Sequence, residues 1–146
     1  MLSFFEGIIA ALGALILELT LPFFGLPAGN TSLIFLFSAV LIEEIIKYAF
    51  VYNNYLKLES KEKIIRNSLL IGFGFAAAEI FLKQLSFEKT TALLILGVFL
   101  IHVFTTSLAG FFLSRKYKQL FFLSVLIICF NIFLHFAYNF LILSYL

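Results

Sequence analysis

Charge is what this chain has least of. Only 12% of its 146 residues are Asp, Glu, Lys or Arg, against a hydrophobic share of 63%, and the mean hydropathy is +1.12. A soluble domain carries roughly a quarter charged residues to wet its surface, so this composition excludes one and points to an integral membrane protein. Cysteine is nearly absent as well. Cys129 is alone, cannot close an intrachain disulfide, and in an apolar stretch suits packing. The first apolar stretch lacks a basic leading region and carries Glu6 and Glu18, so it reads as a retained membrane helix and not as a cleaved signal peptide. Internal repeats are missing, which argues against a proton-coupled transporter built from paired halves. There is also no basic, aromatic-interleaved groove for nucleic acid, no soluble appended domain, and no His-Glu-x-x-His helix.

What is present is a series of apolar stretches. A spanning helix needs about 20 mostly apolar residues, and the interruptions divide the chain into about five, near residues 3–25, 31–52, 67–85, 90–113 and 119–145. The expected fold is therefore all-α: a polytopic transmembrane bundle of about five helices, residues 1–146 forming one integral membrane domain. The breaks have physical causes. Pro22, Gly25, Pro27, Gly29 and Asn30 gather turn residues after the first stretch. From Asn53 to Asn67 lies a hydrophilic segment with Lys57, Glu59, Lys61, Glu62, Lys63 and Arg66; a short link runs from Lys83 to Thr90, and Arg115, Lys116 and Lys118 make a basic patch. Basic residues in short loops favour the cytoplasmic side, and one side collects seven of them against Lys83 and Lys89 on the other. That count predicts a cytoplasmic amino terminus and an outside carboxyl terminus. The 21 Phe are expected to be lipid-facing bulk.

Against this background the few polar residues inside the apolar stretches stand out. Glu43-Glu44 and Lys47 fall in the second, Glu79 in the third, His102 in the fourth and His135 in the fifth. An ionisable group in hydrocarbon costs a few kcal/mol or more, so one found there faces a bundle interior or a wet cavity. At about 1.5 Å per helical residue, all of them fall in one layer near or somewhat outside the midplane. Helical spacing puts His102, Thr105, Thr106, Ala109 and Gly110 on one face, Asn131, His135, Tyr138 and Asn139 on another, and Gly72, Ala76 and Glu79 on a third. Lys47 is four residues from Glu43 and three from Glu44, so it can balance either carboxylate but not both. Plainer readings exist for each group: an ion pair that only fixes packing, Glu79 paired with Lys83 four residues on, and histidines that only hydrogen-bond between helices. Two histidines and a carboxylate also form a zinc-type set at Glu43, His102 and His135.

In this order and spacing the motifs resemble the PrsW family of intramembrane proteases, within the CAAX-protease (CPBP or Abi) superfamily. The resemblance rests on Glu43-Glu44-Ile45-Ile46-Lys47, then Gly72 to Glu79, then His102 with Thr106 and Gly110, then His135 with Asn139. It covers about residues 40 to 140, one motif per helix, and departs at Ile80, where an asparagine commonly follows the family glutamate. The resemblance implies a glutamate-dependent, membrane-embedded peptidase with no cofactor. Glu43 would be general base on the attacking water with help from His102, Glu44 would be held by Lys47, His135 and Asn139 would donate to the oxyanion, and Glu79 would match a further family acid. It implies a membrane-anchored protein or peptide as substrate, a prokaryotic cell membrane as location, and a second copy or partner as one way for so short a chain to enclose the site. Members of the superfamily that are scaffolds or bacteriocin-immunity proteins give the non-enzymatic alternative.

Overall fold

The structure, a computed structural model, describes residues 2–25, 33–86, 91–115 and 120–145. Five helices follow in order: α1 (Leu2–Glu18), α2 (Leu33–Lys57), α3 (Lys61–Leu85), α4 (Ala92–Ser114) and α5 (Leu120–Tyr145), with a short 3-10 turn over Leu21–Phe24. No strand occurs among the described residues. Four spans are long and apolar enough to cross a membrane: Leu2–Phe24, Lys61–Leu85, Ala92–Ser114 and Phe121–Ile142. The remaining helix, α2, has 25 residues, about 37 Å of helix, but carries Glu43, Glu44 and Lys47 in its middle.

The packing order explains how α2 carries that charge. α1 packs on α3, α3 on α4 and α4 on α5, which makes an arc, and α2 packs against all four of these helices. Its buried stripe is Val40, Glu44, Lys47, Val51 and Asn54, spaced at four and three residues, so the polar side chains point into protein and not into acyl chains. Two patches of apolar residues hold the bundle: Val51, Ile71, Ala109, Leu113 and Ile127 join α2 to α5, and Ala10, Ala11, Ala14 and Phe75 join α1 to α3. Close helix approach depends on missing side chains. A Cβ on Gly72 would lie 2.8 Å from the Val103 Cα and 2.9 Å from the His102 carbonyl oxygen, so α3 sits directly against the backbone that presents His102. Large apolar side chains such as Phe5, Phe23, Phe121 and Phe133 are exposed on the outside, as a lipid-facing surface requires. Phe75 departs from that reading of the phenylalanines, being buried beneath the site, and Phe50 and Phe112 pack partly buried against the core.

Three helix ends differ from the sequence expectation. The hydrophilic segment from Asn53 to Asn67 is mostly helical: α2 continues to Lys57 and α3 begins at Lys61, leaving three residues between them. Lysine and glutamate are good helix formers, so the helices continue past the apolar zone until Ser60, which has extended backbone and precedes α3. The first stretch, expected to be continuous, ends as α-helix at Glu18 because Pro22 has no amide hydrogen for the next turn; the chain tightens into the 3-10 turn and closes at Gly25 with φ 79°. Pro27, Gly29 and Asn30, Lys89 and Thr90, and Lys116 and Lys118 lie outside the described residues.

Where α1 begins, α2 ends and α3 begins, a small polar network ties the three together. Asn54 Nδ2 donates to Glu6 Oε2 at 2.8 Å and to the Phe50 carbonyl at 3.2 Å, and Asn67 Nδ2 donates to Asn54 Oδ1 at 3.1 Å.

Candidate functional site

One and a half turns of α2 supply the centre of a second, larger polar cluster. Lys47 Nζ donates to Glu44 Oε1 at 2.5 Å, to His102 Nδ1 at 3.0 Å and to Thr105 Oγ1 at 3.2 Å, which uses all three ammonium hydrogens. It also lies 5.0 Å from the centre of the Phe75 ring, a cation–π distance. Of the two pairings open to Lys47 by spacing, the fold therefore selects Glu44; both side chains are only 1% exposed. His135 Nδ1 reaches the same Glu44 oxygen at 2.8 Å from α5, and Thr105 Oγ1 lies 3.4 Å from it.

Partner chemistry assigns the neutral imidazole tautomers. An ammonium only donates, so His102 Nδ1 accepts and its N–H sits on Nε2, which contacts Glu79 Oε2. A carboxylate only accepts, so His135 Nδ1 carries the hydrogen and its Nε2 lone pair faces Glu43 Oε2 at 3.6 Å. The two rings meet edge to face with centroids 4.8 Å apart. Glu79 in turn accepts from Lys83 Nζ at 2.7 Å, the same-helix pair that spacing allowed.

The cluster has a dry side and an open side. Glu44, Lys47, His102 and His135 are buried, whereas the side chains of Glu43, Glu79 and Lys83 are 13%, 20% and 30% exposed. These last three line a cleft of about 630 Å³, together with Glu18, Asn139 and apolar side chains from all five helices. Adjacent positions on a helix point about 100° apart, and that alone separates Glu44 in the dry ring from Glu43 in the cleft. Three buried polar atoms lack a partner among the described residues: Glu43 Oε2, Glu44 Oε2 and Asn131 Oδ1. Asn131 Nδ2 nevertheless donates to the Thr105 carbonyl at 2.9 Å, tying α5 to α4 beside the cluster.

All seven residues singled out from the sequence thus lie around one point. Glu43, Glu44, Lys47, Glu79, His102 and His135 are joined by the contacts above, and Asn139 lines the cleft one turn beyond His135. The pairing of histidines differs from the expected one: both ring nitrogens of His102 are engaged by Lys47 and Glu79, and it is His135 that faces Glu43. Sequence reasoning missed Glu18. It lines the same cleft as Glu43, and the signal available was the one that found Glu79, an acid inside an apolar span, overlooked because Glu18 lies near a span end.

Glu43, His102 and His135 each offer a ligand atom within 4.8 Å of the others, the grouping a metal would need. Here, however, the lone pair of His102 is taken by Lys47 and its Nε2–H points to Glu79, so coordination would require the ring to release one of them beside a fixed ammonium. The chain matches no protein-family model, no curated protein and no solved structure.

Proposed function

We propose that this chain is a membrane-embedded, glutamate-type peptidase, similar to the PrsW proteases, that hydrolyses a peptide bond of a membrane-associated protein or peptide. The observation that carries the reading is that two buried acceptors, Glu43 Oε2 and His135 Nε2, face each other at 3.6 Å next to a cleft that the Glu43 side chain lines. That separation is too long for a direct hydrogen bond and suits a group that donates to both. A water there gives one O–H to each acceptor and turns its lone pair toward a peptide carbonyl. Glu43 takes the proton as the C–O bond forms, then returns it to the leaving amine as the C–N bond breaks.

The buried groups serve this chemistry by orientation. Glu44, held by Lys47, accepts from His135 Nδ1 and so keeps the Nε2 lone pair toward the water, a hydrogen bond that fixes the imidazole tautomer. Donors for the developing oxyanion are available in the Asn139 amide and the Nε2–H of His102, which Glu79 holds between turnovers. No metal enters these steps, so cleavage is expected to survive chelation. With the amino terminus cytoplasmic, the cleft lies toward the outer face, since Glu18, Lys83 and Ser86 sit at the ends of α1 and α3.

The test is comparative proteomics of membranes holding the wild-type chain or Glu43→Gln at equal abundance. A precursor that accumulates only with the variant, and is cut by purified wild type, is the expected outcome. Identical membrane proteomes would overturn the proposal and favour the scaffold or immunity-type alternative.

A further inference from the structure

The cleft has a direction as well as a reactive end. From Glu43 and Asn139 it runs to Phe35, Leu36 and Ser86, and Ser86 is exposed where α3 ends. Its wall on α2 is the row Phe35, Leu36, Ala39 and Glu43, residues three or four apart and therefore on one face of the helix. Ala39 stands one turn from Glu43, about 6 Å along the axis, and Phe35 and Leu36 stand a further turn out, about 11–12 Å from it. The turn next to the acid is thus the one at which α2 gives the cleft only a methyl group.

We infer that Ala39 determines specificity, admitting a large apolar side chain at the second residue from the scissile bond, on the part of the substrate that leads toward the open end of the cleft. This rests on the peptidase reading and names its substrate class: an extended segment carrying a residue such as Leu, Ile or Phe at that position. A peptide bond within a helix is covered by its neighbouring turns and its carbonyl is hydrogen-bonded, so attack by water requires an extended chain. Such a chain rises about 3.3 Å per residue and turns successive side chains to opposite faces. The residue at the cut bond turns its side chain away from the attacking water, so the next one outward turns toward α2. Two rises place it about 6–7 Å from Glu43, level with Ala39.

The other walls fit that side chain. On α3, Leu82 lies three residues outward of Glu79, about 4.5 Å, and so at nearly the same level as Ala39. Leu15 lines the cleft from α1. Lys83 shares the turn of Leu82 but bends back to Glu79 at 2.7 Å, which draws its charge toward the reactive end. A bulky apolar side chain filling the space over Ala39 buries its own surface and that of these leucines, whereas an alanine there leaves the space unfilled.

The experiment uses the full chain in lipid nanodiscs and the precursor found with Glu43→Gln, its cut bond located by mass spectrometry of the products. The second residue on each side of that bond is made Leu, Ala or Lys in turn. At one of the two positions the wild type is expected to cut the Leu form with a kcat/KM about 10–200-fold above the Ala form. Ala39→Leu fills the space and should lower that ratio at least about tenfold. The ratio is taken within each enzyme, so any loss of folded protein cancels. Ala39→Val and Ala39→Gly, smaller changes in opposite directions, are read by the same ratio and decide the matter if Ala39→Leu does not fold or does not cut. A ratio that no Ala39 variant moves, or a wild type that prefers Lys to Leu at both positions, overturns the assignment and leaves the peptidase standing. No cleavage by the wild type overturns both.

Discussion

Two polar clusters are buried along the same helix, and they are built on opposite rules. At one end, Asn54 joins Glu6 and Asn67 in a network where both polar atoms of the central side chain are partnered. Ten residues earlier on α2, about 15 Å away, Glu44 and Lys47 anchor a cluster in which Glu43 Oε2 and Glu44 Oε2 are left without a partner among the described residues. A fully satisfied network costs the bundle little and fixes helix register; an unsatisfied buried acceptor costs stability and persists where something outside the chain is to be bound. On the proposed function, the contrast separates structure from chemistry within one helix. It also explains why α2 sits inside the arc of its neighbours: each cluster needs partners from other helices, and only a helix touching all four can recruit them.

The largest effect is expected of Glu43→Gln. If the second cluster is for catalysis, the variant loses about 10²–10⁴-fold or more in cleavage rate while its melting temperature in detergent stays within a few degrees of wild type, because glutamine keeps the shape of the side chain and Glu43 Oε2 has no partner among the described residues. A large fall in stability with cleavage retained would place Glu43 among the structural residues. Lys47→Met has the next largest effect. It leaves Glu44 buried with its charge uncompensated, and should cost about 3–5 kcal/mol in detergent unfolding. Adding Glu44→Leu removes the orphaned charge, so the double variant should regain most of that stability and still cleave nothing, since His135 has lost the acceptor that orients it. A double variant that remains unstable would mean the pair is a structural requirement in its own right.

Most of the fold was legible because membrane helices announce themselves through apolar length, and the site because charge in such stretches has few innocent places. The polar and small faces of α3, α4 and α5 were readable from spacing of three and four, and Gly72, Thr105, Thr106 and His102 meet as that spacing requires. What the sequence left open was local geometry. Spacing allowed Lys47 either glutamate, and only the packing of α4 and α5 on one face of α2 decides for Glu44. Which histidine faces Glu43 depends on side-chain directions that no periodicity encodes. The helical reach to Lys57 and from Lys61 was hidden because hydropathy reports where a chain leaves the apolar zone, not where its hydrogen-bonded turns end. Glu18 was passed over because its depth depends on where α1 stops, and that is set by Pro22 four residues later.

Smaller effects follow from acting on one cluster through packing alone. Gly72→Ala puts a methyl within 3 Å of Val103 Cα and the His102 carbonyl, forcing α3 from α4. The expected cost is about 1–3 kcal/mol, with a loss of cleavage in the molecules that remain folded, because the shift moves His102 relative to Glu79. Measuring activity per folded molecule separates these two consequences. Unchanged specific activity would show that the site tolerates a displaced α4.

The smallest effect belongs to the satisfied cluster. Asn54→Ala removes both hydrogen bonds that link it to Glu6 and Asn67, and those two side chains are only partly buried, so water can replace what they lose. The expected cost is therefore about 1–2 kcal/mol, read as a lower denaturant midpoint, with kcat and KM unchanged. Distance is the reason: the network lies two to three helical turns from Glu44 and shares with it only the backbone of α2. Residues so separated act additively unless the helix shifts as a rigid rod. An Asn54→Ala variant combined with Gly72→Ala should lose the sum of the two stabilities, whereas a kcat that falls in Asn54→Ala alone would mean that the register of α2 is set at one end and read at the other.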